Sequence, residues 1–333
     1  MEAATTTTAG GELARGCMVA ALALILASLV PAVPLASTAH SAAPPPPPRV
    51  ALVAADEANA AERTMPLLAA ILERTGLVRT SVHLAEDPAA GEPDPASKTS
   101  LTDPEGIATA DGLVAFVSGC RFDPETLAAF LAPTRDGKPL TGIRSSIHGF
   151  RYPDDLPVLS ERLWNRDYGA RLLGTPWRFD HGESSRTRIL PPAGEAASHP
   201  LLRGISIPPE GLLVRSPLYQ VEPLARGCRV LLWGEAVESA RPDEPTRQPI
   251  AWVREVAPPL TTVRGNDGES LPLPNPMQRI AVTTLGHPED LESPAVRRLA
   301  AQLVLWSMSL EDRIPEGGID VSLGETAAAP PDR

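Results

Sequence analysis

The stretch GKPLTGIRSSIHGF, residues 137–150, has the composition expected at the edge of an active site. A short apolar run ends at Ile143, and Arg144, two serines and His148 follow it. Side chains that follow a buried strand at its carboxyl end often line a ligand site in parallel sheets. A guanidinium stays protonated and offers hydrogen-bond donors in a planar fork. Arg144 therefore suits binding of a carbonyl, a carboxylate or a pair of hydroxyl groups, rather than nucleophilic attack.

Three histidines stand at predicted element ends, in polar or glycine contexts: His148, His181 and His287. Histidine is a general acid or base near neutral pH, and His148 and His287 would leave strands at the ligand-binding edge. The alternative for each is a structural histidine with satisfied hydrogen bonds. Zinc binding is a further alternative, but the sequence contains no HxH or HxxxH pair. We therefore expect no cofactor, with zinc left open.

Other catalytic signatures are absent from the sequence around these residues. Ser145 and Ser146 do not stand in the G-x-S-x-G frame of a serine nucleophile. When that frame is aligned with this stretch, its nucleophile position falls on Arg144. Cys120 follows a predicted strand, but no local base is available to activate its thiol. The sequence also lacks a phosphate-binding loop and a dinucleotide glycine fingerprint. For Cys120 and Cys228, both a disulfide and two separate buried thiols remain open.

The elements that must position these residues alternate between strand and helix in the first half of the chain. Apolar runs predict strands at 49–55, 78–85, 112–119 and 139–143. Helical spacing and capping residues predict helices at 61–75, 123–133 and 293–308. After residue 187 the runs are strand-like, with few helices between them. Continuous apolar strands between amphipathic helices indicate an α/β fold with a doubly wound, mostly parallel sheet flanked by helices.

A leader is predicted ahead of this fold. An apolar run at 18–30 follows Arg15 and precedes small residues, which is typical of a cleaved signal peptide. An uncleaved N-terminal anchor is the alternative for residues 1–43. Residues 44–48 are consecutive prolines and predict an extended spacer. We expect one domain over 49–321 and a disordered tail over 322–333.

The formal net charge of −11 disfavours nucleic acid as a partner, because nucleic-acid-binding surfaces are basic. It fits a soluble exported protein, periplasmic or extracellular. No membrane association is expected beyond the possible anchor. The sequence does not set an oligomeric state.

Several segments resemble the ThuA-like (trehalose-utilisation) branch of the class I glutamine amidotransferase-like fold. They include DGLVAFVSG, KPLTGIRSSIHGF and AVTTLGHPED, and they occur in order along the chain. The resemblance implies that Arg144 replaces the nucleophilic cysteine of the amidotransferases, so no amidotransferase activity is expected. The late His-Pro-Glu is kept as His287-Pro288-Glu289, whereas Asp180 stands where the branch often has the first histidine of His-His-Gly.

The resemblance further implies a role in carbohydrate metabolism, with a sugar or keto-sugar derivative as the small-molecule partner. One interpretation is isomerase- or lyase-type proton transfer, and the alternative is a non-catalytic carbohydrate-binding or accessory module. The expected acid–base groups are His148, His181 and His287. The expected substrate-binding groups are Arg144, Tyr219 and Glu289. We expect alanine at Arg144 or His287 to abolish ligand binding with little loss of melting temperature.

We predict that the exported protein begins near His40, because small residues suited to signal cleavage follow the apolar run. N-terminal sequencing of the exported protein is the measurement. A mature protein that still carries residues 18–30 would instead show an N-terminal anchor.

Overall fold

The computed structural model describes residues 45–154, 164–256, 262–264, 270–272 and 277–323. The predicted leader and almost all of the predicted tail lie outside these ranges. Residues 45–48 of the proline spacer have no regular secondary structure. Within the described ranges, no helix has both the length and the apolar character needed to cross a bilayer.

The described strands and α-helices include every element predicted for the first half of the chain, with ends that shift by a few residues. The strands are β1 (Arg49–Ala55), β2 (Arg79–Asp87), β3 (Glu92–Pro93), β4 (Ser100–Leu101), β5 (Gly112–Val117), β6 (Leu140–Ile143), β7 (Phe179–Asp180), β8 (Arg186–Ile189), β9 (Leu212–Val214), β10 (Tyr219–Gln220), β11 (Arg229–Val237), β12 (Arg247–Val256), β13 (Thr262–Arg264), β14 (Ser270–Pro272) and β15 (Gln278–Thr283). The helices are α1 (Ala61–Arg74), α2 (Pro104–Ala108), α3 (Pro124–Arg135), α4 (Trp164–Asp167) and α5 (Pro294–Ser307).

The main sheet has a parallel part and an antiparallel part. Strands β2, β1, β5, β6 and β15 lie side by side in that order and are parallel. Strands β12, β11, β8 and β9 continue the sheet in antiparallel pairs. The predicted α/β class with a mostly parallel sheet is confirmed. The antiparallel extension was not predicted, because an apolar run does not reveal the direction of its neighbour.

Both faces of the parallel part are covered, as continuous apolar strands require. Alternate residues of β1 divide between the two faces, since side chains point to opposite sides along a strand. Val50, Leu52 and Ala54 join a buried cluster with α1 and α5. Ala51 and Val53 join a second cluster with α3.

The parallel strands β1, β5, β6 and β15 all end at one edge of the sheet. Asp56 follows β1, Arg144 follows β6 and Thr284 follows β15 at that edge. The topology therefore brings together side chains that are far apart in sequence. This is the edge at which ligands bind in open α/β sheets.

A buried carboxylate fixes the turn that follows β15. Asp290 is fully buried and accepts hydrogen bonds from the backbone N–H groups of Ser216 at 2.9 Å, Gly286 at 3.0 Å and His287 at 3.2 Å. The hydroxyl of Ser216 also donates to it. Asp290 thus joins the turn after β15 to the segment that leads into β10.

We predict that Asp290→Ala lowers the free energy of unfolding by about 3 kcal/mol or more, because several buried donors lose their acceptor. Urea denaturation measures this change. The matched control is Asp312→Ala, which removes an exposed carboxylate from another short turn and should cost less than about 0.5 kcal/mol. Equal losses in the two variants would contradict the assigned role of Asp290.

Candidate functional site

Arg144 begins the short 3-10 turn Arg144–His148 directly after β6. Its backbone is left-handed, with a φ of 51°. Residues other than glycine rarely adopt this conformation, and such outliers gather at functional turns. The turn reverses the chain at the carboxyl edge, so that Arg144, Ser145 and His148 all belong to that edge.

The guanidinium of Arg144 is buried and holds three segments together; the residue is only 2% exposed. Its Nη1 nitrogen donates to the carbonyl oxygens of Pro217 and Thr284, each at 2.9 Å. Its Nε nitrogen donates to the side-chain oxygen of Asn59 at 3.3 Å. The Cζ carbon lies 3.9 Å from the centre of the Tyr219 ring, a cation–π contact.

A second buried group, Asp56, lies at the end of β1 and is 2% exposed. Its carboxylate accepts from the hydroxyl of Ser145, from the Asn59 amide at 2.8 Å and from the Asn59 backbone at 3.3 Å. The Asn59 amide also donates to Ser145 Oγ at 3.1 Å. Asn59 therefore connects the carboxylate of Asp56 with the guanidinium of Arg144. We call Asp56, Asn59, Arg144, Ser145 and Tyr219 the Arg144 cluster.

The Tyr219 ring of the Arg144 cluster packs with the rings of His148 and Trp177, and we call these three rings the aromatic wall. The centres of the His148 and Trp177 rings are 4.3 Å apart with an angle of 32° between the planes. The Tyr219 ring lies edge-on to both, at 5.5 Å from His148 and 6.3 Å from Trp177. His148 and Trp177 keep part of their surface exposed, so the wall faces solvent at this edge.

Several polar atoms of this region lack a partner within the described chain. His148 Nδ1 and the indole nitrogen of Trp177 are buried and make no hydrogen bond there. The Nη2 nitrogen of Arg144 also donates to no described residue. The Tyr219 hydroxyl has only Ser145 Oγ, at 3.5 Å. Since buried polar groups are normally satisfied, the nitrogens of His148 and Trp177 indicate a place where a ligand or water completes the bonding.

The surroundings keep these rings neutral. Burial, with the nearby positive charge of Arg144 as a second cause, lowers the pKa of His148 to about 4. Burial also raises the pKa of the Tyr219 hydroxyl, which Arg144 partly opposes. At neutral pH the site therefore offers a neutral imidazole and a neutral phenol beside one buried cation.

His287 follows β15 at the same edge, but it is not in the aromatic wall. Its Nδ1 accepts the backbone N–H of Glu289 at 3.2 Å, and the Glu289 carboxylate is 4.0 Å from Nδ1. Burial is the largest influence on His287 and lowers its pKa. The carboxylates of Asp290 and Glu289 raise this pKa, whereas the guanidinium groups of Arg215 and Arg144 lower it. Glu289 is exposed. The structure thus places these two predicted residues together, near Arg144 but without a described contact to it.

The side chain of His181 has no described contact with the other predicted site residues. It is fully buried, and its Nδ1 is 2.8 Å from the hydroxyl oxygen of Ser239. Burial lowers its pKa, and Arg241 is the next cause. Asp180, its neighbour, pairs with Tyr219 across β7 and β10. Successive side chains along a strand point in opposite directions, which explains why His181 does not share the surroundings of Tyr219.

The cysteines and serines add no nucleophile to this site. Cys120 and Cys228 are both free thiols. Burial raises the pKa of Cys120 to about 12, which keeps its thiol protonated. Ser145 Oγ contacts Asp56, Asn59 and Tyr219 but no described histidine, so the histidine base of a serine triad is absent from its described contacts. Among the described residues, no group of three or more His, Cys, Asp or Glu side chains could hold a metal ion.

Four residues of this site were not among those expected from the sequence: Asp56, Asn59, Ser145 as a hydrogen-bonded group, and Trp177. Asp56 had a usable signal, because an acidic residue directly follows the apolar run of β1. Trp177 had none, since it stands in an irregular segment between Gly174 and β7. Only the folded chain brings that segment beside His148.

Two solved structures are similar to this chain, and both are described as ThuA-like proteins. The one from Bacteroides uniformis has 13% identity and a TM-score of 0.46, covering 84% of this chain and 98% of its own. The one from Parabacteroides merdae has 14% identity and a TM-score of 0.46, covering 84% of this chain and 94% of its own. No family model matches the chain, and no curated protein is significantly similar to it. We therefore infer the chemistry of the site from the residues of this chain alone.

We predict that His148 makes stability depend on pH. Its folded-state pKa of about 4 lies below the usual 6.5, so the unfolded chain binds a proton more readily between these values. Stability is therefore fully present above about pH 6.5 and is lost as pH falls toward 4, by about 1.4 kcal/mol per pH unit for one histidine.

Urea denaturation of the parent and of His148→Gln across pH 4 to 7 measures this dependence. The variant should show a shallower slope, and the remaining part comes from the other histidines whose pKa burial lowers: His83, His181, His199 and His287. Identical slopes in the two proteins would contradict a neutral, buried His148.

Proposed function

We propose that the carboxyl edge of the sheet binds a small polyhydroxylated molecule, a sugar or keto-sugar derivative, between the Arg144 cluster and the aromatic wall. The observation that carries the proposal is the set of polar atoms without partners, on Arg144, His148 and Trp177. These polar atoms lie at the rings of the aromatic wall. Pockets for small molecules combine aromatic walls with a few placed polar groups in this way.

The chemistry of these groups suits hydroxyl and carbonyl oxygens. Arg144 Nη2 and the Trp177 indole nitrogen are donors, and they can meet carbonyl or hydroxyl lone pairs. The neutral His148 offers one acceptor and one donor nitrogen, and a sugar hydroxyl can satisfy either. The carboxylate of Asp56 offsets the charge of Arg144 through Asn59. A neutral ligand therefore fits better than an anion.

A second candidate is enzymatic turnover by proton transfer beside a carbonyl. The left-handed backbone of Arg144 favours it, since strained residues gather at active sites. Arg144 would then stabilise a developing oxyanion while His148 accepts the proton. With a pKa of about 4, His148 is a weak base in the unliganded protein, so we place binding ahead of turnover.

We also propose that the chain is an exported, ThuA-like protein in which Arg144 replaces a catalytic cysteine. Support for the replacement comes from the position of Arg144, at a strand-to-turn junction with a left-handed backbone. Support for export comes from the leader pattern of residues 1–43.

We predict that Trp177→Leu and Tyr219→Phe each weaken binding of the best sugar ligand by roughly tenfold or more, because each removes a contact at the centre of the site. A thermal-shift screen of mono- and disaccharides and their keto derivatives, with and without zinc, selects that ligand. Isothermal titration calorimetry then gives its dissociation constant. Tyr219→Phe keeps the ring over Arg144 and removes only the hydroxyl.

The matched control is Trp233→Leu, which alters another half-buried tryptophan, on β11. It should bind the ligand as the parent does. Conversion of the ligand, followed by NMR, separates turnover from binding: the parent should turn over and His148→Gln should not if the second candidate holds. If Trp177→Leu and Trp233→Leu both bind as tightly as the parent, the ligand site lies elsewhere.

A further inference from the structure

A cavity of about 400 Å³ lies at the edge of the sheet opposite the Arg144 cluster. β11 and β15 begin here and β12 ends here, whereas β15 finishes beside Thr284 at the other edge. Its charged and aromatic lining consists of His199, Arg229, Arg254, Glu255, Arg279 and Trp306.

Arg279 is fixed in place, although its buried Nε makes no hydrogen bond within the described chain. It forms two parallel hydrogen bonds to the carboxylate of Glu311, at 2.8 and 3.0 Å, and its Nε lies 3.4 Å from a carboxylate oxygen of Glu255. Its Cζ lies 3.8 Å from the centre of the Trp306 ring. Both neighbouring carboxylates therefore already have a cationic partner.

The other two arginines keep donors to spare. Arg254 Nη1 donates to the carbonyl oxygens of Arg171 and Leu172, but its Nε is buried and has no partner in the described chain. The side chain of Arg229 is exposed and makes no described hydrogen bond or ion pair. Three arginines against two carboxylates, Glu255 and Glu311, leave this cavity with one net positive charge in a protein whose formal charge is −11.

His199 supplies one more donor from a buried position. The residue is only 7% exposed, and its Nδ1 accepts the backbone N–H of Leu201 at 3.2 Å. A neutral ring that accepts at Nδ1 must carry its proton on Nε2. Burial and the nearby Arg229 lower the pKa of His199 to about 4, so the ring is neutral at pH 7. No described residue accepts the Nε2 proton.

We infer that this cavity binds a small organic oxyanion, a phosphomonoester or a carboxylate, through Arg229, Arg254 and His199. The groups of Arg229, Arg254 and His199 that have no described partner are donors, and the net charge is positive, so an acceptor-rich anion matches them; the Glu255 carboxylate also lines the cavity and lies beside Arg279 Nε. The volume is at the lower end of small-molecule sites and leaves room for an organic part against Val253 and Trp306.

Isothermal titration calorimetry on the full chain at pH 7.5 and constant ionic strength tests the inference. The probes are glycerol phosphate, inorganic phosphate and malonate, with chloride as the reference anion. Arg229→Gln should weaken binding of the best probe by about tenfold or more, because it removes a charged donor. His199→Phe should weaken it as well. The control is Arg247→Gln, an exposed arginine at the far end of β12, which should bind as the parent does.

Preference for glycerol phosphate over malonate supports a phosphomonoester as the ligand, and the reverse preference supports a carboxylate. The inference is overturned if none of the probes binds the parent, or if Arg229→Gln and Arg247→Gln bind equally well. The cavity and the Arg144 cluster lie at opposite edges of the sheet. Tyr219→Phe should therefore leave oxyanion binding intact, whether or not the Arg144 cluster binds a sugar.

Discussion

The buried guanidinium of Arg144 is the constraint on which the geometry of the candidate site depends. A buried cation is costly unless its donors find acceptors. Arg144 meets this requirement with the carbonyl oxygens of Pro217 and Thr284, the side chain of Asn59 and the face of Tyr219. These contacts fix the turn after β6 against the turn after β15 and the segment leading into β10.

This burial changes what an alanine variant can show. From the sequence, Arg144 was expected to be replaceable with little loss of stability, as a residue of an open cleft. In the structure its removal takes a donor from the buried carbonyl oxygen of Thr284 and from the partly buried one of Pro217, and an unsatisfied buried group costs about 1–3 kcal/mol. A loss of binding in Arg144→Ala would therefore mix folding with recognition. Substitutions in the aromatic wall separate the two effects better, because Trp177 remains partly exposed.

The sequence predicted the elements better than the contacts. The strands β1, β2, β5 and β6 and the helices α1, α3 and α5 follow from apolar spacing and capping residues such as Asp123, whose side chain accepts the N–H of Thr126. The antiparallel strands β8 and β9 and their order in the sheet depend on pairings far apart in sequence. The polar segment 87–104 contributes the short strands β3 and β4, which pair with β2 and which no apolar run in the sequence predicted.

The same distinction applies to the site. Arg144 and His148 could be predicted because they directly follow a recognisable strand, and the structure places them with Tyr219. His181 has an equally polar sequence context, but the register of β7 against β10 directs it toward Ser239. Such orientations depend on strand pairing rather than on local composition, and Trp177 beside His148 is a second example.

The central claim is that the free polar atoms of the aromatic wall meet a sugar ligand. Nitrogen-15 NMR of the full chain, titrated with the best ligand of the carbohydrate screen, tests it most directly through the Trp177 indole N–H and the two His148 ring nitrogens. The account predicts that these signals shift together and saturate with the ligand, while the Trp233 indole signal stays in place. Saturable sugar binding that leaves the Trp177 and His148 signals unmoved would contradict it.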